Sequence, residues 1–185
     1  MFFRKFVCYT LAFCVLIFGF CFCVNAVNRK IYPLYYKEQV IKYSALYGVD
    51  SALVFATIKV ESNFDYMAKS SAGAIGLMQI KETTGEYIAN MLKVSEYDLY
   101  NPTDNVRFGV FYLKYLLDKF NCLETAVCAY NAGEGRVSLW LNNSEYSDDG
   151  LTLKHIPFEE TKVYLEKIKK TFIKYNKLYE NILDK

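Results

Sequence analysis

Residues 101–120 read NPTDNVRFGVFYLKYLLDKF. Within them Val106, Val110, Leu113, Leu117 and Phe120 recur every three or four positions, the spacing that aligns side chains along one face of an α-helix. The turn-forming Tyr100-Asn101-Pro102-Thr103 precedes them, so the stretch predicts a long amphipathic helix at the centre of the fold. Working outward from it, apolar residues keep helical spacing from Tyr32 onward, and no sustained strand alternation interrupts them. The expected class is all-α.

Punctuation divides this pattern. A first helix covers about Leu34 to Tyr47 and stops at Gly48. Asp50 or Ser51 can cap a second, which runs to about Glu61. A loop containing Gly73 and Gly76 follows, and Thr83 with Glu86 has capping-box spacing for a third helix through about Lys93. After the long helix another runs from about Leu123 to Asn131 and ends at Gly133. A short segment spans Val137 to Leu141, and Pro157 opens a last helix with Tyr164, Ile168, Phe172, Tyr175 and Tyr179 along one face.

A chain of 185 residues suits one domain with a well-buried core. The composition is 53% hydrophobic and 17% aromatic, much of it concentrated in the first 26 residues. Setting aside Arg4 and Lys5 leaves 20 basic residues against 20 acidic. A balanced domain gives no electrostatic reason to expect nucleic acid. Lysines 162, 167, 169, 170, 174 and 177 alternate with acids and apolar residues and read as the wet face of a helix.

The first 26 residues read as an export address. Arg4 and Lys5 precede an uncharged stretch from Phe6 to Val24, and Ala26 offers a small residue for cleavage. The stretch is longer than an ordinary signal-peptide core and close to the ~20 residues that span a bilayer, which favours an uncleaved anchor over a cleaved signal peptide. The expected division is therefore 1–26 for the address and 27–185 for the domain. Four of the six cysteines, Cys8, Cys14, Cys21 and Cys23, lie in this segment as apolar filler. Cys122 and Cys128 are nearly two turns apart on a continuous helix, too far to bridge. With His155 as the only histidine, no zinc cluster is expected.

Glu61 is the sharpest candidate for chemistry. It ends the run Ala52-Leu53-Val54-Phe55-Ala56-Thr57-Ile58-Lys59-Val60-Glu61, and Ile58, Thr57 and Val54 share its helix face. Desolvation there disfavours the ionised carboxylate and raises its pKa, so the acid keeps a proton it can donate. Periodicity alone leaves open a surface glutamate paired with Lys59. The following Ser62-Asn63-Phe64 and Gly73-Ala74-Ile75-Gly76-Leu77-Met78-Gln79-Ile80 favour the catalytic reading.

Three motifs in register, Glu61-Ser62, Gly76-Leu77-Met78-Gln79-Ile80 and Ala129-Tyr130-Asn131-Ala132-Gly133, resemble those of the soluble lytic murein transglycosylase family. Asn101-Pro102 before Asn105 and Ile156-Pro157-Phe158 before Tyr164 add to the likeness, which covers about Tyr32 to Tyr175. The resemblance implies a single lysozyme-like helical domain, similar to goose-type lysozyme, with Glu61 as the sole catalytic carboxylate. It implies that Ser62 positions groups at the site, and that Met78, Gln79, Tyr130 and Asn131 face a sugar groove. Tyr164 would lie close to the catalytic carboxyl. Each also has a plainer reading: Met78 as core, Tyr130 as a wedge between helices, Asn131 as a helix cap, and Gly73, Gly76 and Gly133 as backbone devices.

The implied reaction uses Glu61 twice. It protonates the oxygen linking N-acetylmuramic acid to N-acetylglucosamine, then takes the proton of the muramoyl 6-hydroxyl as a 1,6-anhydro ring closes. No metal or cofactor is implied. The expected partners are peptidoglycan glycan strands and, through the N-terminal segment, the cytoplasmic membrane, for a monomer at the cell envelope or secreted to the wall. The rival readings are a hydrolytic muramidase in which Asp65 or Glu82 holds a water, a membrane-tethered glycan-binding protein without catalysis, and a purely structural bundle.

Overall fold

The computed structural model describes residues 2–183, with side-chain surroundings from residue 16 onward except at Cys21 and Asn181. The chain divides into two units, Met1–Pro33 and Leu34–Lys185. The first consists of α1 (Phe2–Ile31), on which Leu16, Phe18, Phe20 and Phe22 are exposed. The expected anchor over 6–24 lies partly outside the described side chains. Among the described residues no helix is long and apolar enough to cross a membrane.

The second unit is mostly helical: α2 (Lys37–Tyr47), α3 (Ser51–Glu61), α4 (Glu82–Leu92), α5 (Pro102–Phe120), α6 (Leu123–Ala132), α7 (Glu134–Leu141) and α8 (Glu159–Leu183). The expected long helix α5 lies among α2, α4, α6 and the loop after α3, all of which pack against it. The helix enclosed by the fold is α3, in which every residue from Ala52 to Ile58 is buried. Its sequence is apolar on all sides, and such a helix reaches low free energy only when covered all round. The long α5 buries Val106, Val110, Leu113 and Leu116 and has no exposed residue from Pro102 to Leu117. Along α3 lies α8, with Tyr175 stacked on Phe55 at 5.5 Å between ring centroids.

Capping residues set several boundaries. Gly48 takes φ 68° and closes α2 through a hydrogen bond to Ser44 O. Asp50 accepts from Ala52 N at 2.7 Å to open α3. Asn101 accepts from Thr103 N and Asp104 N, with Pro102 as the first helical residue of α5, so the predicted turn is the helix start itself. The Thr83–Glu86 capping box does not form, because α4 begins one residue earlier, at Glu82, after an extended Lys81.

A departure from the all-α expectation follows α3. Ala74–Ile75 (β1) and Ile80–Lys81 (β2) pair antiparallel, with Ala74 opposite Lys81 and Ile75 opposite Ile80. Strands of two residues are too short to display an alternating pattern, so this hairpin left no periodic signal. Asn105 of α5 holds it. Fully buried, it accepts from Met78 N at 2.7 Å and donates to Ile75 O and Leu99 O at 2.9 and 2.7 Å. Gly76 permits this approach at φ 75°, since a Cβ there would stand 2.3 Å from Asn105 Nδ2 and 2.5 Å from Leu99 O. Cys122 precedes α6 and Cys128 is buried within it, and both thiols are free.

Candidate active site

The end of α3 places Glu61 at a cleft of about 380 Å³. Directly after it the chain reverses: Ser62 caps the helix, and Asn63 and Phe64 both take left-handed conformations, φ 51° and 67°. Neither residue is glycine, so each conformation costs on the order of 1 kcal/mol. Burial of Phe64 against Phe55 accompanies the reversal. The turn stops α3 with Glu61 at its edge, and Lys59 is taken up by Asn63, which leaves no ion pair between Lys59 and Glu61.

Glu61 and Tyr164 meet across 103 positions of sequence. The hydroxyl of Tyr164, a buried residue of α8, donates to Glu61 Oε1 at 2.6 Å. Burial pushes the Glu61 carboxyl from 4.5 up to about 7, the Tyr164 hydrogen bond pulls the other way, and the charge of Glu160 adds to the rise. Desolvation disfavours the anion more than one phenol can stabilise it. The group is thus poised to hold a proton just below neutral pH and to accept one once ionised.

Glu61 shares the cleft with Gln79, Tyr130 and Asn131. Gln79, itself left-handed at φ 49°, is oriented by its amide, which donates to Gly76 O at 2.9 Å and Ala68 O at 3.2 Å. Tyr130 donates to Met78 O at 2.8 Å and so ties α6 to the hairpin turn. Thr161 of α8, buried, donates to Asn131 Oδ1 at 2.8 Å, which directs the amide NH2 away from that contact.

Two of the expected site residues, Met78 and Ser62, do not line the cleft. Met78 is fully buried, with its side chain packed against the open face of Gly109, so the groove reading for its side chain is corrected. The turn presents its backbone to Asn105 and Tyr130, which drives the thioether into the core. Ser62 does not line the cleft, and its hydroxyl instead reaches Leu77 O at 2.8 Å and binds the end of α3 to the hairpin turn. It thereby positions the two motifs against each other.

Several cleft residues carried no signal that sequence reasoning used. Ser70, Ser71, Lys81, Thr84, Tyr112, Arg136 and Glu160 also line it. Glu160 is the other carboxylate there, exposed at the start of α8. Neither Asp65 nor Glu82 lines the cleft. Asp65 accepts from Met67 N in its own loop, and Glu82 is exposed in the first turn of α4. Asn105 and Thr161 have one available clue: a polar residue on a helix face that the apolar period assigns to the core.

Residues 38–151 match the family model described as Transglycosylase SLT domain. The chain is 34% identical over 143 residues to the soluble lytic murein transglycosylase of Salmonella typhimurium, which covers 74% of this chain and 22% of that protein. It is 32% identical over 168 residues to the membrane-bound lytic murein transglycosylase C of Actinobacillus pleuropneumoniae, with 76% and 45% covered. The crystal structure of an inactive glutamate-to-glutamine mutant of lytic transglycosylase Slt from Pseudomonas aeruginosa superposes with a TM-score of 0.70 at 30% identity, over 80% of this chain and 25% of that one. This chain thus spans about a quarter of the length of the soluble relatives it matches. Its second unit carries their lysozyme-like, mostly helical domain, and with 38–151 matched the chain belongs to the Transglycosylase SLT domain family.

Proposed function

We propose that the chain is a peptidoglycan lytic transglycosylase that cleaves the β-1,4 bond between N-acetylmuramic acid and N-acetylglucosamine and leaves 1,6-anhydromuramoyl ends. The observation that carries this reading is the Glu61 carboxyl, lifted to about 7 at the edge of a cleft and held by Tyr164. Most glycosidases divide the work between two carboxyl groups. Here one group changes protonation state between steps. Protonated Glu61 gives its proton to the glycosidic oxygen as the bond to the muramoyl C1 breaks. The resulting carboxylate takes the proton of the muramoyl 6-hydroxyl, whose oxygen then bonds to C1, so no water is consumed. Tyr164 holds the carboxyl in one orientation through both transfers. Gln79, Tyr130 and Asn131 line the sugar site, while Ser62, through Leu77 O, and the Met78 carbonyl, through Tyr130, position the elements that carry them.

A hydrolytic muramidase on the same fold needs a second group to hold water. Glu160 is the other carboxylate that lines the cleft, and it is exposed there. Mass spectrometry of muropeptides released from purified peptidoglycan separates the two, since hydrolysis adds one water to the product. Anhydro ends support the lytic reading, and reducing muramoyl ends alone would replace it by the muramidase.

The further proposals concern placement. Residues 1–26 act as a signal peptide or signal anchor and 27–185 as the catalytic domain, which works as a monomer on the outer face of the cytoplasmic membrane. The exposed Leu16, Phe18, Phe20 and Phe22 of α1 and a relative named as membrane-bound support the tether.

A further inference from the structure

The reversal that stops α3 also brings two segments together on an outer face of the second unit. Tyr35, just before α2, meets Phe64 edge-on at 5.7 Å between ring centroids. Burial, and after it the nearby Tyr66 and Asp65, hold the Tyr36 phenol above its usual range, so the segment before α2 and the loop after Glu61 are neighbours. Phe64 is buried beneath them, whereas Tyr35 is 62%, Tyr66 45% and Met67 56% exposed. None of these three lines the cleft.

The exposure is built into a constrained backbone. Tyr36, Asn63 and Phe64 take left-handed conformations, φ 57°, 51° and 67°, each at a cost on the order of 1 kcal/mol for a side chain other than that of glycine. Asp65 N donates to Ser62 O at 3.0 Å and Ala68 N to Asp65 O at 3.2 Å, which folds the loop tightly. The Asp65 carboxylate is taken up by Met67 N at 2.9 Å. Turns fixed in this way keep Tyr66 and Met67 from folding inward, so their apolar surface stays available to a partner.

Three side chains are too few for a stable protein interface, which takes roughly 20–30 residues on each side. A lipid surface makes no such demand, because side chains enter the headgroup region singly. Tyrosine suits that region, with an apolar ring and a polar hydroxyl. The order of the chain agrees. The uncharged stretch 6–24 is followed by Arg29 and Lys30 in the last turn of α1, and Tyr35 comes four positions after Ile31, where α1 ends. An apolar run, then cations, then tyrosines is the succession of residues expected where a chain leaves a bilayer.

We propose that Tyr35, Tyr66 and Met67 form a lipid-seating patch, by which the catalytic domain rests on the headgroup layer of the membrane that carries it. The inference rests on the tether reading above and adds a second point of contact, on the domain itself. Glu61 stands five positions before Tyr66, on the other side of the constrained turn, so the seat fixes the height of the cleft above the bilayer.

The test reads tryptophan emission from the full chain in vesicles of phosphatidylglycerol and phosphatidylcholine, with and without bromine on the acyl chains. Trp140 is the single tryptophan and is 6% exposed, so the unsubstituted chain supplies the background. In Tyr66→Trp the added emission should shift to the blue on vesicles and fall by roughly half when the lipid is brominated, since an interfacial side chain reaches about 5–10 Å into the headgroup and acyl boundary. Adding Tyr35→Ser and Met67→Ser should remove most of that quenching. Leu46→Trp, at an exposed position near the other end of α2, should show neither change. Flotation of the unsubstituted chain with the same vesicles reads the tether separately. Flotation with Tyr66→Trp unquenched, or quenched no more than Leu46→Trp, overturns the seat and leaves the tether. Quenching of Tyr66→Trp in a chain recovered without residues 1–26 would remove the anchor and leave the seat, and absence of flotation removes both. A blue shift that follows the protein-to-lipid ratio and ignores bromine would give the patch to a second copy of the chain and overturn the seat.

Discussion

At the scale of single residues, the chemistry turns on one proton. Because burial raises the Glu61 pKa from 4.5 to about 7, the folded state holds that proton more tightly than the unfolded chain does. The associated stability is fully present below about pH 4.5 and is lost as pH rises through 7, up to about 3 kcal/mol. Glu61→Gln has no proton to lose, so its melting temperature should stay level across that window and exceed the parent's above neutral pH. A parallel decline in both proteins would show that another group is responsible. The same variant should lower glycan cleavage by on the order of 10²–10⁴-fold or more, measured as clearing of cell-wall suspensions. For Tyr164 the signs differ. Tyr164→Phe removes a hydrogen bond that lowers the Glu61 pKa, so turnover should fall while the alkaline limb of the rate profile moves to higher pH. Its stability should change by only about 1 kcal/mol. An unshifted limb with unchanged turnover would make Tyr164 a packing residue.

At the scale of elements, the hairpin that floors the cleft depends on one side chain from α5. Asn105→Ala would strand Met78 N, Ile75 O and Leu99 O, each satisfied by the Asn105 amide, at a cost of about 3–5 kcal/mol. Gly76→Ala would collide with the same amide and with Leu99 O at a left-handed position, and should cost about 3 kcal/mol. Either change should depress the melting temperature by roughly 10 °C and impair cleavage more than the residual folded fraction accounts for, because Gln79 and the Tyr130 anchor ride on this turn. Equal loss of activity and folded protein would confine Asn105 to stability. The element pattern was legible where apolar spacing or a capping residue recorded it, as at Gly48, Asp50 and Asn101. It failed at the hairpin, where strands of two residues are held by a distant amide, and at Thr83, where a capping-box spacing occurs one residue inside the helix that actually forms.

At the scale of the whole molecule, the two contact units predict that a chain beginning at Leu34 folds and keeps its cleft. Its circular dichroism, melting temperature and cell-wall clearing should match those of the full chain under detergent, and loss of the melting transition would show that the first unit is needed. The tether is tested apart from this. The full chain should fractionate with membranes, and recovery of a mature protein beginning at Val27 in the medium would leave export standing and remove the anchor. The second unit is closed by α8, which runs beyond the matched 38–151 and returns Glu160, Thr161 and Tyr164 to the site built by α3, the hairpin and α6.

The sequence by itself determined the helical class, most helix ends and the order of the three motifs, because these are written in local spacing and in residues with strong backbone preferences. It also marked Glu61, whose apolar helix face already implied desolvation. That α3 is enclosed was decided only in three dimensions, because a helix apolar all round has to be covered by neighbours from distant parts of the chain. The fate of Met78 and Ser62 was likewise tertiary, since a motif specifies a turn but the surrounding helices choose which of its atoms face the cleft. Tyr164 was placed near Glu61 through a family likeness, whereas the 2.6 Å hydrogen bond and the competition between burial and that bond exist only once α8 packs along α3. Burial, and hence the pKa of Glu61, is a property of surroundings assembled from residues far apart in the chain.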